Sequence, residues 1–132
     1  MLTLQEYFIG RDKEYPDDLT TELRINAQET VIRINTLLGY FGESREITSG
    51  WRPPAVNAAT KGAAPKSKHM TCQAADVRDD EGDLDEWCLA HPEILEKIGL
   101  WQEFPGQTKG WCHLQTVPYK SWKPGKPRWF YP

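Results

Sequence analysis

The sequence of 132 residues has no apolar run of the roughly 20 residues that a membrane-spanning helix needs, so we expect no membrane span. Its net charge of −3 gives no broad electrostatic attraction for nucleic acid. Three cysteines cannot all pair within one chain, and so few thiols suit a reducing compartment better than a disulfide framework. The remaining composition, 39% hydrophobic and 27% charged, is typical of a globular protein. This length predicts a single domain over residues 1–132.

The N-terminal segment MLTLQEYFIGRDK contains an early acid, Glu6, and no long apolar core. A secretory signal needs a basic start followed by an apolar stretch, so this segment does not resemble one. We therefore expect synthesis in the cytoplasm without a signal peptide. An extracellular substrate would have to be reached by another route.

Hydrophobic periodicity predicts a mixture of helices and strands. Apolar residues from Leu23 to Leu38 recur at helical spacing, which predicts an amphipathic helix that is capped by Asp17, Asp18 or Thr20 and ends at Gly39. Farther along, the pattern predicts a strand at 46–50, a brief helix opened by Pro53 or Pro54, a strand at 73–77, helices from Leu84 and from Pro92 up to Gly99, antiparallel strands at 100–104 and 111–117, and a loop-like tail. The fold class expected is α+β, a small and mostly antiparallel sheet with helices packed on one side.

Two histidines and one aspartate form the most informative pattern. His69 and Asp76 lie in the segment SKHMTCQAAD, and His113 follows in WCH. Together they offer two imidazole nitrogens and one carboxylate oxygen, so we predict a metal site on the sheet with His69, Asp76 and His113 as its ligands. Three protein ligands leave one position of a tetrahedral zinc site open for water, unlike a closed structural site. Because water on such a metal ionises near neutral pH, the pattern predicts a hydrolase.

The residues around these three resemble the D-alanyl-D-alanine carboxypeptidase family of zinc peptidases, which includes phage enzymes that cleave peptidoglycan. The segment TSGWRPPAVN matches that family's S-G-Y/W-R-S/P-P-x-x-N, and the patterns S-x-H-x-x-G-x-A-x-D and W/F-x-H follow. The resemblance extends over residues 47–115 and implies Zn2+ as the cofactor. One position departs, because Cys72 stands where the family has glycine. Glycine at such a position indicates a positive backbone dihedral or a tight approach, so the geometry of this loop is left open.

The resemblance implies a zinc metallopeptidase, a carboxypeptidase or an endopeptidase, that hydrolyses a peptide bond in peptidoglycan stem peptides. A phage-encoded enzyme that is released to or delivered into the cell wall would account for the missing signal. We expect a monomer. The alternative is a catalytically inactive, metal-containing binding or virion-structural module of the same fold. A nucleic-acid-binding protein is disfavoured by the acidic charge balance.

Two further residues are candidates for catalytic work. Peptide hydrolysis needs a group that takes a proton from water and returns it to the leaving amine. Glu103 is the nearest acid upstream of His113, and it would lie near His113 if strands 100–104 and 111–117 pair. An exposed strand glutamate is the alternative. Arg52 can hold a carboxylate through two parallel hydrogen bonds, and the resemblance implies that it binds substrate or stabilises the transition state.

Ser67 and Gln115 are the other candidates for substrate binding. Ser67 could donate to the substrate or orient a ligand, and Gln115 could line the cleft from the strand face that carries His113. Metal-bound imidazoles need an acceptor for their second ring nitrogen, and the sequence identifies none.

A structural zinc site that uses Cys72 or Cys112 is the competing hypothesis. Cys112 and His113 are neighbours on a predicted strand and should point to opposite faces, so both cannot easily bind one ion. The basic and aromatic tail, 120–131, could bind polysaccharide or nucleic acid, or it could pack back onto the core.

Overall fold

The computed structural model describes residues 1–132 and contains six α-helices, two 3-10 helices and five strands. The α-helices are α1 (Leu4–Phe8), α2 (Arg11–Glu14), α3 (Thr21–Phe41), α4 (Pro54–Ala59), α5 (Asp83–Ala90) and α6 (Pro92–Ile98). The strands are β1 (Ile47–Ser49), β2 (Ala74–Asp79), β3 (Trp101–Glu103), β4 (Gly110–Gln115) and β5 (Trp129–Phe130). The 3-10 helices cover Pro16–Asp18 and Pro105–Gln107.

The strands form one sheet in the order β1-β2-β4-β3-β5. Neighbouring strands are antiparallel except for β3 and β5, which run parallel. The central pair, β2 and β4, is in register from Ala74 opposite Gln115 to Asp79 opposite Gly110. The helices lie on one side of the sheet, so the predicted α+β class with a mostly antiparallel sheet is confirmed.

Helix α3 supplies much of the core. Thr20, one of the predicted caps, accepts a hydrogen bond from the amide of Leu23 at 3.2 Å. The buried face of the helix packs with the sheet residues Val77 and Leu114 in one apolar cluster. The α3 residues of this cluster are Ala27, Val31, Ile34, Leu37 and Leu38. Because successive strand residues alternate between the faces of a sheet, the neighbours Asp76 and His113 face away from this core.

The prediction that α3 ends at Gly39 is wrong. The helix continues to Phe41 and ends at Gly42, whose φ is 89° and whose amide donates to the carbonyl of Leu38 at 2.8 Å. A helical glycine costs only about 0.5–1 kcal/mol, whereas burial of one leucine side chain contributes about 1.5–3 kcal/mol. The burial of Leu37 and Leu38 therefore outweighs the local preference of Gly39.

The tail, predicted as a loop, contributes the short strand β5. The amides of Gln102 and Phe104 donate to the carbonyls of Arg128 and Phe130, both at 2.8 Å. The Arg128 guanidinium lies 4.3 Å from the ring centre of Trp101, a cation–π contact that also holds the tail. The tail therefore packs back onto the folded chain through β3, which is one of the alternatives given for this segment.

We expect Gly50→Ala to destabilise the protein, because the added Cβ would lie 2.0 Å from the carbonyl oxygen of Tyr7, a backbone atom that cannot move aside. Overpacking of this kind lowers the free energy of unfolding by about 1–3 kcal/mol, measurable by urea denaturation. Gly39→Ala is the matched control, since its Cβ meets nothing within 4 Å. That change should raise the free energy of unfolding by about 0.5–1 kcal/mol. Equal stability of the two variants would contradict this account.

Candidate metal centre and cleft

Asp76 and His113 lie opposite each other in the sheet. They are Cα partners in the β2–β4 register, and opposing residues of an antiparallel pair project from the same face. Nδ1 of His113 lies 2.9 Å from Oδ1 of Asp76. His69 comes from the turn before β2, and its Nε2 lies 3.3 Å from the same oxygen. The potential ligand atoms all lie within 4.8 Å of one another, so the structure brings the three predicted ligands together.

Each imidazole has one nitrogen bonded within the chain and one directed at this cluster. Nδ1 of His69 lies 2.8 Å from the carbonyl oxygen of Gly50, and Nε2 of His113 lies 3.1 Å from Oε1 of Gln115. These are the acceptors that the sequence did not identify. Nε2 of His69 is buried and has no hydrogen-bond partner. An unpaired buried nitrogen is costly, and a metal ion would satisfy it, so the donor set fits one.

Two of the three groups, Asp76 and His69, have pKa shifts that favour metal binding. Burial alone would raise the pKa of Asp76, but the hydrogen bond from Nδ1 of His113 and the proximity of the His69 imidazole outweigh it and hold that pKa well below its usual range. Burial lowers the pKa of His69, which keeps that imidazole neutral. Burial would also lower the pKa of His113, but the hydrogen bond to Asp76 reverses the direction and raises it. Asp76 as a carboxylate and His69 as a neutral imidazole are in the forms that bind metals, whereas His113 gives up its Nδ1 proton when a metal binds.

The loop between His69 and Asp76 turns at Cys72, which has a left-handed φ of 57°. The Cys72 amide donates to the His69 carbonyl at 3.3 Å, and its own carbonyl accepts from the hydroxyl of Thr30 at 2.7 Å. The backbone thus has the positive dihedral that glycine favours, although a thiol is present. Burial raises the pKa of the Cys72 thiol to about 12, so the thiol stays protonated. The potential metal group includes no cysteine.

Arg52 lies beside the cluster, directly after the corner formed by residues 49–51. Its amide donates to the carbonyl of His69 at 3.1 Å, which ties this corner to the turn that carries His69. Its Nη2 lies 3.6 Å from Oδ2 of Asp76, and its Nε donates to Oγ of Ser49 at 3.2 Å. The side chain is 13% exposed and lines the cleft, so a carboxylate entering the cleft can reach the guanidinium.

Glu103 lies at the end of β3 and lines the same cleft as His113. The carboxyl is half-buried. Burial is the main reason that its pKa is raised, while the charge of His113 acts in the opposite direction. A raised pKa brings a carboxyl closer to the working range of a general acid and base.

Ser67 and Gln115 also line the cleft, and both are engaged within the chain. Oγ of Ser67 accepts a hydrogen bond from the amide of His69 at 3.2 Å, so Ser67 holds the backbone at His69, while its two predicted roles stay predictions. Gln115 is buried and contacts both His113 and Val117.

The cluster opens into a cleft of about 460 Å³. Part of its lining is cationic, with Arg52 and the lysines of loop 60–68, which are Lys61, Lys66 and Lys68. Another part is apolar and includes Trp111 and Phe130, whose ring packs edge-on against that of His113 at 6.1 Å. The sequence did not single out Phe130 as a site residue, because its place depends on the return of β5 to the sheet.

An open cleft with two histidines and a carboxylate directed at one point is the arrangement of a metal-dependent hydrolase. Residues 10–114 match the family model described as Peptidase M15. The chain therefore belongs to the peptidase M15 family, whose members are metallopeptidases. This assignment confirms the family resemblance drawn from the sequence.

The chain also resembles the crystal structure of the Serratia marcescens L-Ala D-Glu endopeptidase ChiX, with a TM-score of 0.51 and 21% sequence identity. The match covers 74% of this chain and 88% of the ChiX chain, and at this identity it shows a shared fold. No curated protein matches the chain. None of the helices has the length and apolar character needed to cross a membrane.

We expect Cys72→Val to destabilise the protein more than Cys72→Gly. A β-branched side chain in the left-handed region adds about 1–3 kcal/mol of strain. Glycine relieves the strain and loses the buried thiol, two opposing effects of about 1 kcal/mol each, so its stability should stay near that of the wild type. Chemical denaturation of the three proteins measures the difference. A valine variant as stable as the glycine variant would show that the turn is not constrained at this position.

Proposed function

We propose that this chain is a zinc-dependent peptidase that hydrolyses a peptide bond in the stem peptides of bacterial peptidoglycan. The observation that carries the proposal is the approach of His69, Asp76 and His113 to one point in the open cleft of an M15 family member. The fold shared with ChiX, an L-Ala D-Glu endopeptidase, supports a peptidoglycan peptide as substrate.

His69 would hold the zinc ion through Nε2, His113 through Nδ1 and Asp76 through a carboxylate oxygen. A zinc ion at this position supplies Lewis-acid activation of a water molecule and of the scissile carbonyl. Two imidazoles and one carboxylate are a common donor set of catalytic zinc sites, which keep one position for water or substrate. The carbonyl of Gly50 and the amide of Gln115 orient the two rings.

Glu103 would accept a proton from the attacking water and return it to the leaving amine. Its place in the cleft and its raised pKa support this role. Arg52 would bind a carboxylate of the substrate through its guanidinium, and Ser67 would orient His69 or donate to the substrate. Four cationic side chains line the cleft, whereas only two acidic side chains, Asp76 and Glu103, do so. The cleft thus has a positive surplus although the net charge of the chain is −3. This local surplus favours the carboxylate-rich stem peptides.

Delivery of a phage-encoded monomer to the cell wall stays a prediction.

The direct test incubates the zinc-loaded protein with purified muropeptides and identifies the products by mass. Product masses distinguish removal of a terminal residue from cleavage within the stem peptide. We expect cleavage that a chelator abolishes and added zinc restores. Unchanged muropeptides would exclude the proposed activity and favour an inactive module of the same fold.

His69→Ala and His113→Ala should each abolish zinc binding and hydrolysis together, because either change removes one of three ligands. Zinc content by atomic absorption and the muropeptide assay measure the two effects. His91→Ala is the matched control, since His91 stacks on Trp87 at 4.2 Å outside the cleft. Hydrolysis retained by the His69 or His113 variant would defeat the ligand assignment.

Glu103→Gln should lower kcat by about 10²–10⁴-fold while zinc content stays the same, because an amide cannot accept the proton of the attacking water. Glu93→Gln, an exposed change on α6, is the control and should leave kcat unaltered. Full activity of the Glu103 variant would assign proton transfer to another group.

A further inference from the structure

Gln115 occupies a fixed position beside His113. The two residues are separated by one position on β4, so their side chains project from the same face. Gln115 is 4% exposed and pairs with Ala74 of β2 on one side and Trp101 of β3 on the other. Its side chain therefore starts from a backbone that neighbouring strands hold on both sides.

Both ends of the Gln115 amide are bonded within the chain. Nε2 donates to the carbonyl oxygen of Val117 at 2.9 Å, and Oε1 lies 3.1 Å from Nε2 of His113. A backbone carbonyl can only accept, so the NH2 end of the amide must face Val117 and the oxygen must face His113. The carbonyl of Val117 therefore fixes the orientation of the Gln115 side-chain amide.

This orientation decides which nitrogen of His113 is a ligand. An amide oxygen only accepts, so Nε2 of His113 must carry a proton to bond with it. Metal binding requires the neutral imidazole, which keeps this proton on Nε2 and gives up the proton that Nδ1 otherwise donates to Asp76 at 2.9 Å. The lone pair is then on Nδ1. Val117, Gln115 and His113 thus form a chain that presents Nδ1 to the metal centre.

We propose that Gln115 is a positioning residue that keeps His113 in the tautomer and ring orientation needed for metal binding. This inference rests on the proposed function, because it requires that the cluster bind a metal ion. It differs from the substrate contact expected from the sequence, because both polar ends of the amide are already engaged. His69 receives the same support from the carbonyl of Gly50, which no side-chain substitution can remove.

The test measures zinc affinity of the full chain by competition with a chromophoric chelator. Gln115→Met has similar length but offers no oxygen, and it should weaken zinc binding by about 10–100-fold, the usual effect of removing such an acceptor. Gln115→Glu keeps an accepting oxygen and should restore most of the affinity. Gln107→Met is the control, because Gln107 lines the same cleft and makes no side-chain hydrogen bond to the cluster. Its zinc affinity should equal that of the wild type.

Kinetics at saturating zinc separates positioning from substrate contact. A positioning residue predicts a KM for muropeptide close to the wild-type value once the site is filled. An unchanged zinc affinity with a raised KM in Gln115→Met would overturn the proposal in favour of substrate binding. Wild-type protein that binds zinc but cleaves no muropeptide would defeat the proposed function and leave this inference standing.

A measurement on the unmodified protein covers the case in which Gln115→Met does not fold. In the zinc-loaded wild type, the nitrogen-15 spectrum of the His113 ring should show the proton on Nε2 and the metal on Nδ1. A proton on Nδ1, or a wild type that takes up no zinc, would overturn the proposal without any variant.

Discussion

The pairing of β2 with β4 is the constraint on which the rest of the site depends. Backbone hydrogen bonds of this ladder set Asp76 opposite His113, so their approach does not rely on attraction between the two side chains. Removing a carboxylate and two imidazoles from water is unfavourable, by several kcal/mol for each charged group. The apolar cluster between α3 and the other face of the sheet supplies the stability that offsets this cost. The chemistry and the core thus occupy opposite faces of the same two strands.

The sequence predicted those parts of the site that depend on residue type and spacing. The approach of His69, Asp76 and His113 and the antiparallel pairing of β3 with β4 agree with the structure, and Glu103, which was expected near His113, lines the same cleft as that residue. The acceptors of the two imidazoles were missed because one is a backbone carbonyl and the other depends on a glutamine rotamer. The end of α3 was misplaced because glycine has a local preference that distant burial overrides.

Cys72 shows how a family pattern can change its residue and keep its backbone. Glycine predicts a left-handed dihedral, and the chain adopts that dihedral at Cys72 with φ of 57°. The hydrogen bonds from the Cys72 amide to His69 and from Thr30 to the Cys72 carbonyl hold the turn from both sides. The backbone strain of a non-glycine residue in the left-handed region persists only where the surroundings impose it, and such residues are common next to functional sites. The turn that carries His69 is therefore defined by its contacts more than by its sequence.

The loop 60–68, which carries Lys61, Lys66 and Lys68 at the cleft, contains neither helix nor strand and contributes no hydrogen bond to the β2–β4 ladder. Asp76, Glu103 and His113, in contrast, all lie on strands of one sheet. Insertions or charge changes in the loop can therefore alter which peptide is accepted while the spacing of these three side chains stays constant. Such a division lets substrate preference diversify among descendants of one scaffold without rebuilding the sheet that carries these side chains.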